Sequence, residues 1–329
     1  MDPQYVSRIM LDNVTRNFLM IMSAAHHRCC SKANSSHLSC TLKYSSSISI
    51  CQMDPLLEQK RPKGKKRTRR DLITQHLRLY SELKTRNLHG ILLDAAVWIC
   101  TENDVVHKLD CLCLGNLDGG AGTADHVRDL LLAAGISVPG VKAVRLSIDE
   151  AFFMSYALGV LIVHDVVDGA AVALDNDALW CRLQIARPDF IILYLAYHHF
   201  RSKGWIARTG LQYGVDFVLY QRHPALAHSD YSVLILPLEE SEMSPAALSR
   251  PPICWHDVQV TNRLTSQVGK RLLLLFFQDN GGPAADYSSP KCLEHFAVQE
   301  RVVRRFVPEG FRMKILGAHG DNTGRPKDY

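Results

Sequence analysis

The chain has 329 residues, of which 47% are hydrophobic and 22% are charged, which is typical of a globular protein and excludes a chain disordered throughout. Its ten cysteines include no Cys-x-x-Cys pair, so the sequence indicates neither a zinc finger nor a small disulfide scaffold, and we expect reduced thiols in an intracellular protein. The longest apolar runs fall far short of the ~20 residues of a membrane-spanning helix, so we expect no membrane association.

The net charge of +5 is concentrated in one segment near the N-terminus. Eight basic residues lie between Lys60 and Arg70, and without them 30 basic residues face 33 acidic ones, a net charge of −3. Any RNA contact made by the rest of the chain must therefore be local. The basic run is similar to a nuclear localisation signal or a nucleic-acid-binding tail, and the alternative is a solvated charge run.

The N-terminal segment is predicted to be a disordered leader over residues 1–70, including the basic run. Ser31–Cys51 contains eight serines, and the first 53 residues contain only two acidic ones. We expect residues 1–52 to contribute nothing to the fold. The alternative to a disordered leader is upstream sequence wrongly joined to the coding region, with the true start at Met53. We expect a nuclear protein, and a weak similarity to a transit peptide keeps an organelle as the alternative.

Residues 71–165 are predicted to form a small, atypical α+β domain. Asp71–Arg86 has the spacing of an amphipathic helix, and Gly90–Cys100 is typical of a buried strand. Asp118–Gly122 is rich in glycine, but no Gly-Lys-Ser/Thr follows, so a turn is favoured over a phosphate-binding loop. Ser147–Val163 is predicted to be a helix, because Ser147 and Glu150 have capping-box spacing.

A polar stretch at Asp165–Asp177 is a candidate boundary, and residues 188–316 are predicted to form the second domain. Its predicted elements are a helix, two strands, a helix and a strand, a mixed sheet flanked by helices in the α/β class. They are listed here in chain order: Asp189–Arg201, Gly214–Tyr220, Tyr231–Leu238, His256–Lys270 and Leu272–Gln278. Pro237–Pro252 is predicted to be a long loop.

Three residue types suited to acid–base chemistry fall close together in this second domain. Tyr220 ends one strand, His228 precedes the next, and Lys270 lies where a helix passes into a strand. Arg263 precedes Lys270 by seven residues, which predicts the same helical face. Each has an ordinary interpretation, as a packing tyrosine, an exposed histidine or a lysine at the helix dipole. Tyr213 and the histidines at 223 and 256 compete for the same roles.

The sequence of this region resembles the catalytic domain of the tRNA-intron endonucleases. Phe200–Leu236 (FRSKGWIARTGLQYGVDFVLYQRHPALAHSDYSVLIL) carries the motifs RSKGW, QYGVDF and HSDYSV, and Arg263–Phe276 (RLTSQVGKRLLLLF) resembles the family's lysine-bearing segment. SIDEAFFMSYALGVL resembles the end of the family's N-terminal domain, and HPALAHS is similar to the plant members. Residues 100–145 do not resemble that domain.

The resemblance implies a metal-independent endoribonuclease that needs no cofactor. The family's catalytic Tyr, His and Lys correspond to Tyr220, His228 and Lys270, and Arg263 corresponds to an arginine that clamps a base by cation–π contact. Tyr213 is assigned to packing. The family makes the ribose 2′-hydroxyl attack the adjacent phosphate, which leaves a 2′,3′-cyclic phosphate and a 5′-hydroxyl.

The resemblance also implies partners. The substrate would be an intron-containing pre-tRNA cut at the 5′ splice site. Other endonuclease subunits would complete a hetero-oligomer, expected to be a heterotetramer, and Phe296–Val307 would pair with one of them. Two alternatives remain: an inert scaffold subunit of the same fold, and a metal-dependent nuclease of related architecture. Against the metal-dependent nuclease, the sequence contains no Asp…Glu-x-Lys carboxylate set between residues 210 and 275.

Overall fold

Two mixed sheets flanked by helices form the described part of the chain and confirm the α/β class. The computed structural model describes residues 48–52, 69–117, 121–138, 142–167, 169–236, 253–280 and 286–305. The basic residues 60–68, the glycines of 118–120 and the loop of 237–252 lie outside these ranges, as do residues 1–47 and 306–307. Among the described helices, none is long and apolar enough to span a bilayer.

The first sheet has the strands β2 (Leu88–Leu93), β3 (Ala96–Thr101), β4 (Lys142–Ser147), β5 (Leu161–Val167) and β6 (Ala170–Ala173). Their order across the sheet is β4-β3-β2-β5-β6, with β2 and β5 parallel and the other pairs antiparallel. The accompanying helices are α1 (Arg69–Lys84), α2 (Asn103–Cys111) and α3 (Ala121–Ala133). The predicted amphipathic helix is thus confirmed as α1, and α2, α3 and the start of β4, which lie between residues 100 and 145, belong to this sheet and its helices.

The single strand predicted at Gly90–Cys100 is wrong, because the segment is a hairpin. Asp94 adopts a left-handed backbone with φ of 54° and reverses the chain between β2 and β3. Aspartate tolerates this conformation better than most residues. Since both strands are apolar and only two residues separate them, the hydrophobic pattern alone does not reveal the turn.

The long helix predicted at Ser147–Val163 is correct only at its beginning. Ser147 Oγ accepts a hydrogen bond from the Glu150 N–H at 3.2 Å, and the Glu150 carboxylate accepts one from the Ser147 N–H at 2.9 Å, so the capping box is confirmed. The helix α4 (Ile148–Phe152) passes into a π-helical turn at Phe153–Ala157. Gly159, with φ of 62°, then redirects the chain into β5, whose buried apolar residues resemble a helix core in sequence.

The first sheet continues past residue 165, where the sequence predicted a domain boundary. The stretch Asp165–Asp177 contains the end of β5, the left-handed Gly169 (φ 80°) and β6. Helix α5 (Asn176–Ala186) follows, and its buried Leu179, Trp180 and Leu183 join the core. Small and polar residues therefore form a hairpin here, not a linker.

The second sheet has the strands β1 (Ile48–Gln52), β7 (Ile206–Thr209), β8 (Phe217–Tyr220), β9 (Tyr231–Ile235), β10 (Arg271–Asp279) and β11 (Phe296–Arg305). Their order across the sheet is β1-β11-β10-β9-β8-β7, with β9 and β10 parallel and the other pairs antiparallel. Helices α6 (Phe190–Ser202) and α7 (Trp255–Gln267) flank it. The predicted order of helix, two strands, helix and strand is confirmed, and β7 is an additional strand.

The strand β1 lies inside the segment predicted as a disordered leader. Its backbone pairs antiparallel with β11, with Ile48 opposite Arg305 and Gln52 opposite Arg301. The expectation that residues 1–52 contribute nothing to the fold is therefore wrong for this strand. An open sheet edge offers unpaired backbone groups to any extended segment, and serine-rich composition does not prevent such pairing.

One hydrophobic core extends through both sheets. Residues of β3, α4, α5, α6, β8, β9 and β10 belong to a single contiguous cluster of buried side chains. A smaller cluster fills the space between the second sheet and α7, and it contains Val218, Leu234, Val258, Leu272 and Leu274. The two faces of β10 therefore contact different clusters, which explains its uninterrupted run of leucines.

Candidate active site

Tyr220 occupies the last position of β8, on the face of the sheet that α7 covers. Alternate residues of a strand point to opposite faces, so Tyr220 shares a face with Val218. Both contact the cluster between the sheet and α7, and Tyr220 itself is half-buried. The tyrosine therefore combines an apolar anchor with access to the end of the sheet.

Lys270 is fixed by the turn that ends α7. Gly269 is left-handed with φ of 70°, its N–H donates to the Ser266 carbonyl at 3.1 Å, and the Lys270 N–H donates to the Thr265 carbonyl at 2.9 Å. These two bonds form a Schellman motif. The helix thus ends at Gln267 rather than at Lys270, because the left-handed conformation of Gly269 interrupts the helical backbone. Lys270 enters the sheet directly before β10.

The strand registers place Tyr220 and Lys270 in one row across three strands. Extending the pairing of Leu219 with Tyr231 sets Tyr220 opposite Asp230, and extending the pairing of Tyr231 with Arg271 sets Asp230 opposite Lys270. The Asp230 N–H donates to the Leu219 carbonyl at 2.9 Å, and the Arg271 N–H donates to the Asp230 carbonyl at 3.2 Å. With strands ~4.8 Å apart, the backbones of Tyr220 and Lys270 lie about 10 Å apart.

His228 lies beside this row, in the connection between β8 and β9. It precedes Asp230 by two residues, and its side chain is exposed. The structure therefore brings the three predicted residues to the same end of the sheet: a half-buried phenol, an exposed imidazole and a buried ammonium. This is the pattern that the sequence predicted from the strand ends.

His223, which was the alternative to His228 for a catalytic role, makes contacts that stabilise the same connection between β8 and β9. Its Nδ1 accepts a hydrogen bond from the Ala225 N–H at 3.2 Å, and its Nε2 lies 3.4 Å from Asp110 Oδ1 on α2. The loop is thereby joined to the first half of the molecule. His256 is exposed on the first turn of α7.

The sequence predicted that Arg263 and Lys270 share a helical face, and this prediction is wrong. The seven-residue spacing corresponds to two turns only if the helix continues, and α7 ends at Gln267. The Arg263 side chain is exposed, whereas Val258 and Thr265 form the buried side of α7. Arg263 is therefore available to a ligand at the surface.

Two residues near the row make contacts that were not predicted from the sequence. The Asp216 carboxylate accepts a hydrogen bond from the Ile235 N–H at 2.7 Å and ties the approach to β8 to the far end of β9. The ring of Tyr213 lies 4.6 Å, measured to its centroid, from the Lys270 ammonium nitrogen. Both belong to the motif QYGVDF, which was the available signal.

The charges around the row are partly compensated. Burial raises the pKa of Asp230, and the nearby Arg271 and Arg222 oppose that rise. The Arg271 guanidinium lies over the Tyr231 ring, 4.3 Å from its centroid. Among the described residues, no group of three or more His, Cys, Asp or Glu side chains is placed to hold a metal ion.

Comparison with known proteins decides the family. Residues 190–283 match the family model of the tRNA intron endonuclease catalytic C-terminal domain. The tRNA-splicing endonuclease subunit Sen2-1 of Arabidopsis thaliana is 34% identical over 231 residues, which are 70% of this chain and 86% of that protein. This chain belongs to the tRNA-splicing endonuclease family. The resemblance predicted from the sequence is therefore confirmed, including its likeness to plant members.

Other members of the tRNA-splicing endonuclease family support the assignment. Subunit Sen2-2 of Arabidopsis thaliana is 34% identical over 67% of this chain and 76% of its own length. Subunit Sen2 of Mus musculus is 34% identical over 50% of this chain and 34% of its own length. The endonuclease domain match runs from the start of α6 to a point just after β10, so it includes Tyr220, His228, Arg263 and Lys270.

Proposed function

We propose that this chain is a Sen2-type catalytic subunit that cuts intron-containing pre-tRNA at the 5′ splice site. The observation that carries the proposal is the row at the end of the second sheet, in which Tyr220 and Lys270 share a line across three strands and exposed His228 stands beside it. The resemblance to the family implies the same three residues, which supports the proposal.

The proposed reaction is attack of the ribose 2′-hydroxyl on the adjacent phosphorus, with departure of the 5′-oxygen. The products are a 2′,3′-cyclic phosphate and a 5′-hydroxyl. Tyr220 takes the proton of the 2′-hydroxyl, and His228 gives a proton to the leaving oxygen. Histidine suits that role, because its ordinary pKa of ~6.5 lets it donate near neutrality. Lys270 stabilises the charge that develops on the non-bridging oxygens.

Substrate and partner contacts complete the proposal. Arg263, exposed on α7, would hold a base at the partner subunit's cleavage site by cation–π contact. The active complex would be a hetero-oligomer, with a heterotetramer as the expected form. The basic run at Lys60–Arg70 would direct the chain to the nucleus, and replacing its eight basic residues should disperse a fluorescent fusion from that compartment. An organelle is the alternative destination.

The catalytic proposal is tested in an assembled complex with a pre-tRNA that carries both splice sites. Tyr220→Phe, His228→Ala and Lys270→Ala should each nearly stop cleavage at the 5′ site while the 3′ site is still cut. Loss of a general acid in His228→Ala should lower the rate by roughly 10²- to 10⁴-fold. His256→Ala, a substitution of another exposed histidine in the same domain, is the matched control and should cleave normally.

Two chemical tests separate this mechanism from its alternatives. A 2′-deoxy substitution at the cut nucleotide should block cleavage, because it removes the nucleophile. Cleavage should persist in excess EDTA. Loss of activity in EDTA would favour a metal-dependent nuclease, and full activity of all three variants at both sites would favour a scaffold subunit that does not cut.

A further inference from the structure

The Lys270 ammonium is buried without an anionic partner in the described part of the chain. The residue is only 8% exposed, and no ion pair or hydrogen bond joins its Nζ to another described side chain. Burial of an uncompensated charge is unfavourable, so the ammonium needs another source of stabilisation. The nearest described candidate is the Tyr213 ring, whose centroid lies 4.6 Å from Nζ.

The backbone around Tyr213 fixes the ring in place. Tyr213 ends a short 3₁₀ turn, Leu211–Tyr213, and its N–H donates to the Gly210 carbonyl at 2.8 Å. Gly210 has no room for a side chain, since an added Cβ would lie 2.4 Å from Val215 Cγ2. The turn also packs against α7, the helix whose end positions Lys270. The backbones that carry the ring and the ammonium are therefore each held by a separate hydrogen-bonded turn.

We propose that Tyr213 is a positioning residue that holds the Lys270 ammonium through the electron-rich face of its ring. This inference rests on the proposed function of Lys270 and adds a residue to that site. A carboxylate in the same place would neutralise the lysine and occupy its N–H groups. An aromatic face stabilises the charge without neutralising it, and the N–H groups that point away from the ring stay available to phosphate oxygens. The ring, rather than the phenolic hydroxyl, is the functional part.

The test varies the ring electrons while it keeps the shape. In the assembled complex, phenylalanine and its mono-, di- and trifluorinated analogues are placed at position 213, and single-turnover cleavage at the 5′ site is measured. Tyr213→Phe should stay within about 2-fold of the parent. Stepwise fluorination withdraws charge from the ring face and should lower the rate progressively, by roughly 2- to 30-fold in all. Tyr213→Leu should fall at least as far.

The same series at Tyr156 is the matched control. Tyr156 is half-buried and its ring is stacked on that of Phe152 at 5.2 Å between centroids, in the first half of the molecule. Fluorination there should leave the rate unchanged. Thermal melting of each variant separates a loss of folding from a loss of positioning, and a leucine variant that melts early is set aside in favour of the fluorinated series.

Three results would overturn the inference. Equal rates for phenylalanine and trifluorophenylalanine at 213 would show that the ring charge is irrelevant, and an inactive Tyr213→Phe would assign the function to the hydroxyl. In either case, an inactive Lys270→Ala would leave the proposed function intact. A fully active Lys270→Ala would overturn both, because the lysine would then have no role for the ring to support.

Discussion

At the scale of single residues, burial determines which side chains can change their charge. His198, on α6, is the clearest case: burial lowers its pKa to about 4, with a smaller contribution from His199. The neutral ring shares a hydrogen bond with the Tyr194 hydroxyl, with 3.1 Å between Nδ1 and the oxygen. Burial also raises the pKa of Tyr194, so both partners of this bond stay uncharged. His76 is similar, with its pKa lowered to about 4 by burial and by Arg201.

These histidines predict that acid destabilises the fold between pH 6.5 and pH 4. In that window the unfolded chain binds protons that the folded chain does not, so the free energy of unfolding falls as the pH falls. His198→Asn keeps a neutral hydrogen-bonding side chain and removes the titration, so the melting temperature of this variant should depend less on pH over this range. The measurement is thermal unfolding at pH 7, 6 and 5.

His126→Asn is the control for this prediction, since His126 is exposed on α3. Its melting temperature should follow that of the parent chain at each pH. An unchanged pH dependence in His198→Asn would show that other groups govern the acid response.

At the scale of elements, the turn after α7 determines where Lys270 lies. Gly269 has no atom within 4 Å of an added Cβ, so space does not require glycine there. Its φ of 70° does, because a side chain disfavours the left-handed backbone. The Schellman motif and the start of β10 both depend on this one conformation.

Gly269→Ala should therefore destabilise the fold by about 1 kcal/mol through backbone strain. Cleavage at the 5′ site should fall further than stability predicts, since a small displacement of Lys270 alters its distance from the phosphate. Gly269→Asn is the matched comparison, because asparagine tolerates this backbone better and should retain more of both properties. Chemical denaturation and single-turnover cleavage check the two effects. Equal behaviour of the two variants would argue against strain as the cause.

The helices and strands also show which features of the fold and the site can be predicted from the sequence. The order of α6, β8, β9, α7 and β10 followed from their lengths and apolar patterns, and the ends of those elements predicted where Tyr220, His228 and Lys270 meet. The pairing of His223 with Asp110 could not be predicted, because it joins residues that are distant in sequence. The sequence predicts a helix where β5 begins, since the hydrophobic pattern of a short buried segment does not distinguish a strand from a helix. The family resemblance carried the choice of residues, and spacing alone did not.

At the scale of the whole molecule, the two halves are joined by charged contacts as well as by the common core. The Arg208 guanidinium on β7 pairs with the Glu150 carboxylate on α4 at 3.0 Å and donates to the Gly115 carbonyl at 3.3 Å. Arg201 on α6 donates to the Leu112 carbonyl at 3.1 Å. The first half is therefore part of the folding unit that supports the candidate active site.

Glu150→Gln should destabilise the whole chain by about 2 kcal/mol, since the Glu150 side chain is 6% exposed and its loss of charge leaves Arg208 uncompensated. Glutamine preserves the capping box, so the change reports mainly on the ion pair. Unfolding in urea, followed by circular dichroism, should remain a single transition at a lower midpoint.

Asp125→Asn is the control, because Asp125 forms an exposed pair with Arg128 within α3 and its replacement should cause no measurable change. Two separated transitions in Glu150→Gln would show that the halves unfold independently. A midpoint equal to that of Asp125→Asn would show that the ion pair between Glu150 and Arg208 contributes little.

The pairing of β1 with β11 has a consequence for the order in which the protein is made. The first sheet is built from residues 88–173, so its strands can all pair while the ribosome is still translating the second half. The second sheet joins β1 to β11, about 250 residues later in the chain, so β1 cannot pair with its neighbour until β11 has emerged. Closing so long a loop costs entropy and slows folding. This edge of the second sheet is therefore completed after the first half has already formed a surface on which the other strands of the second sheet can assemble.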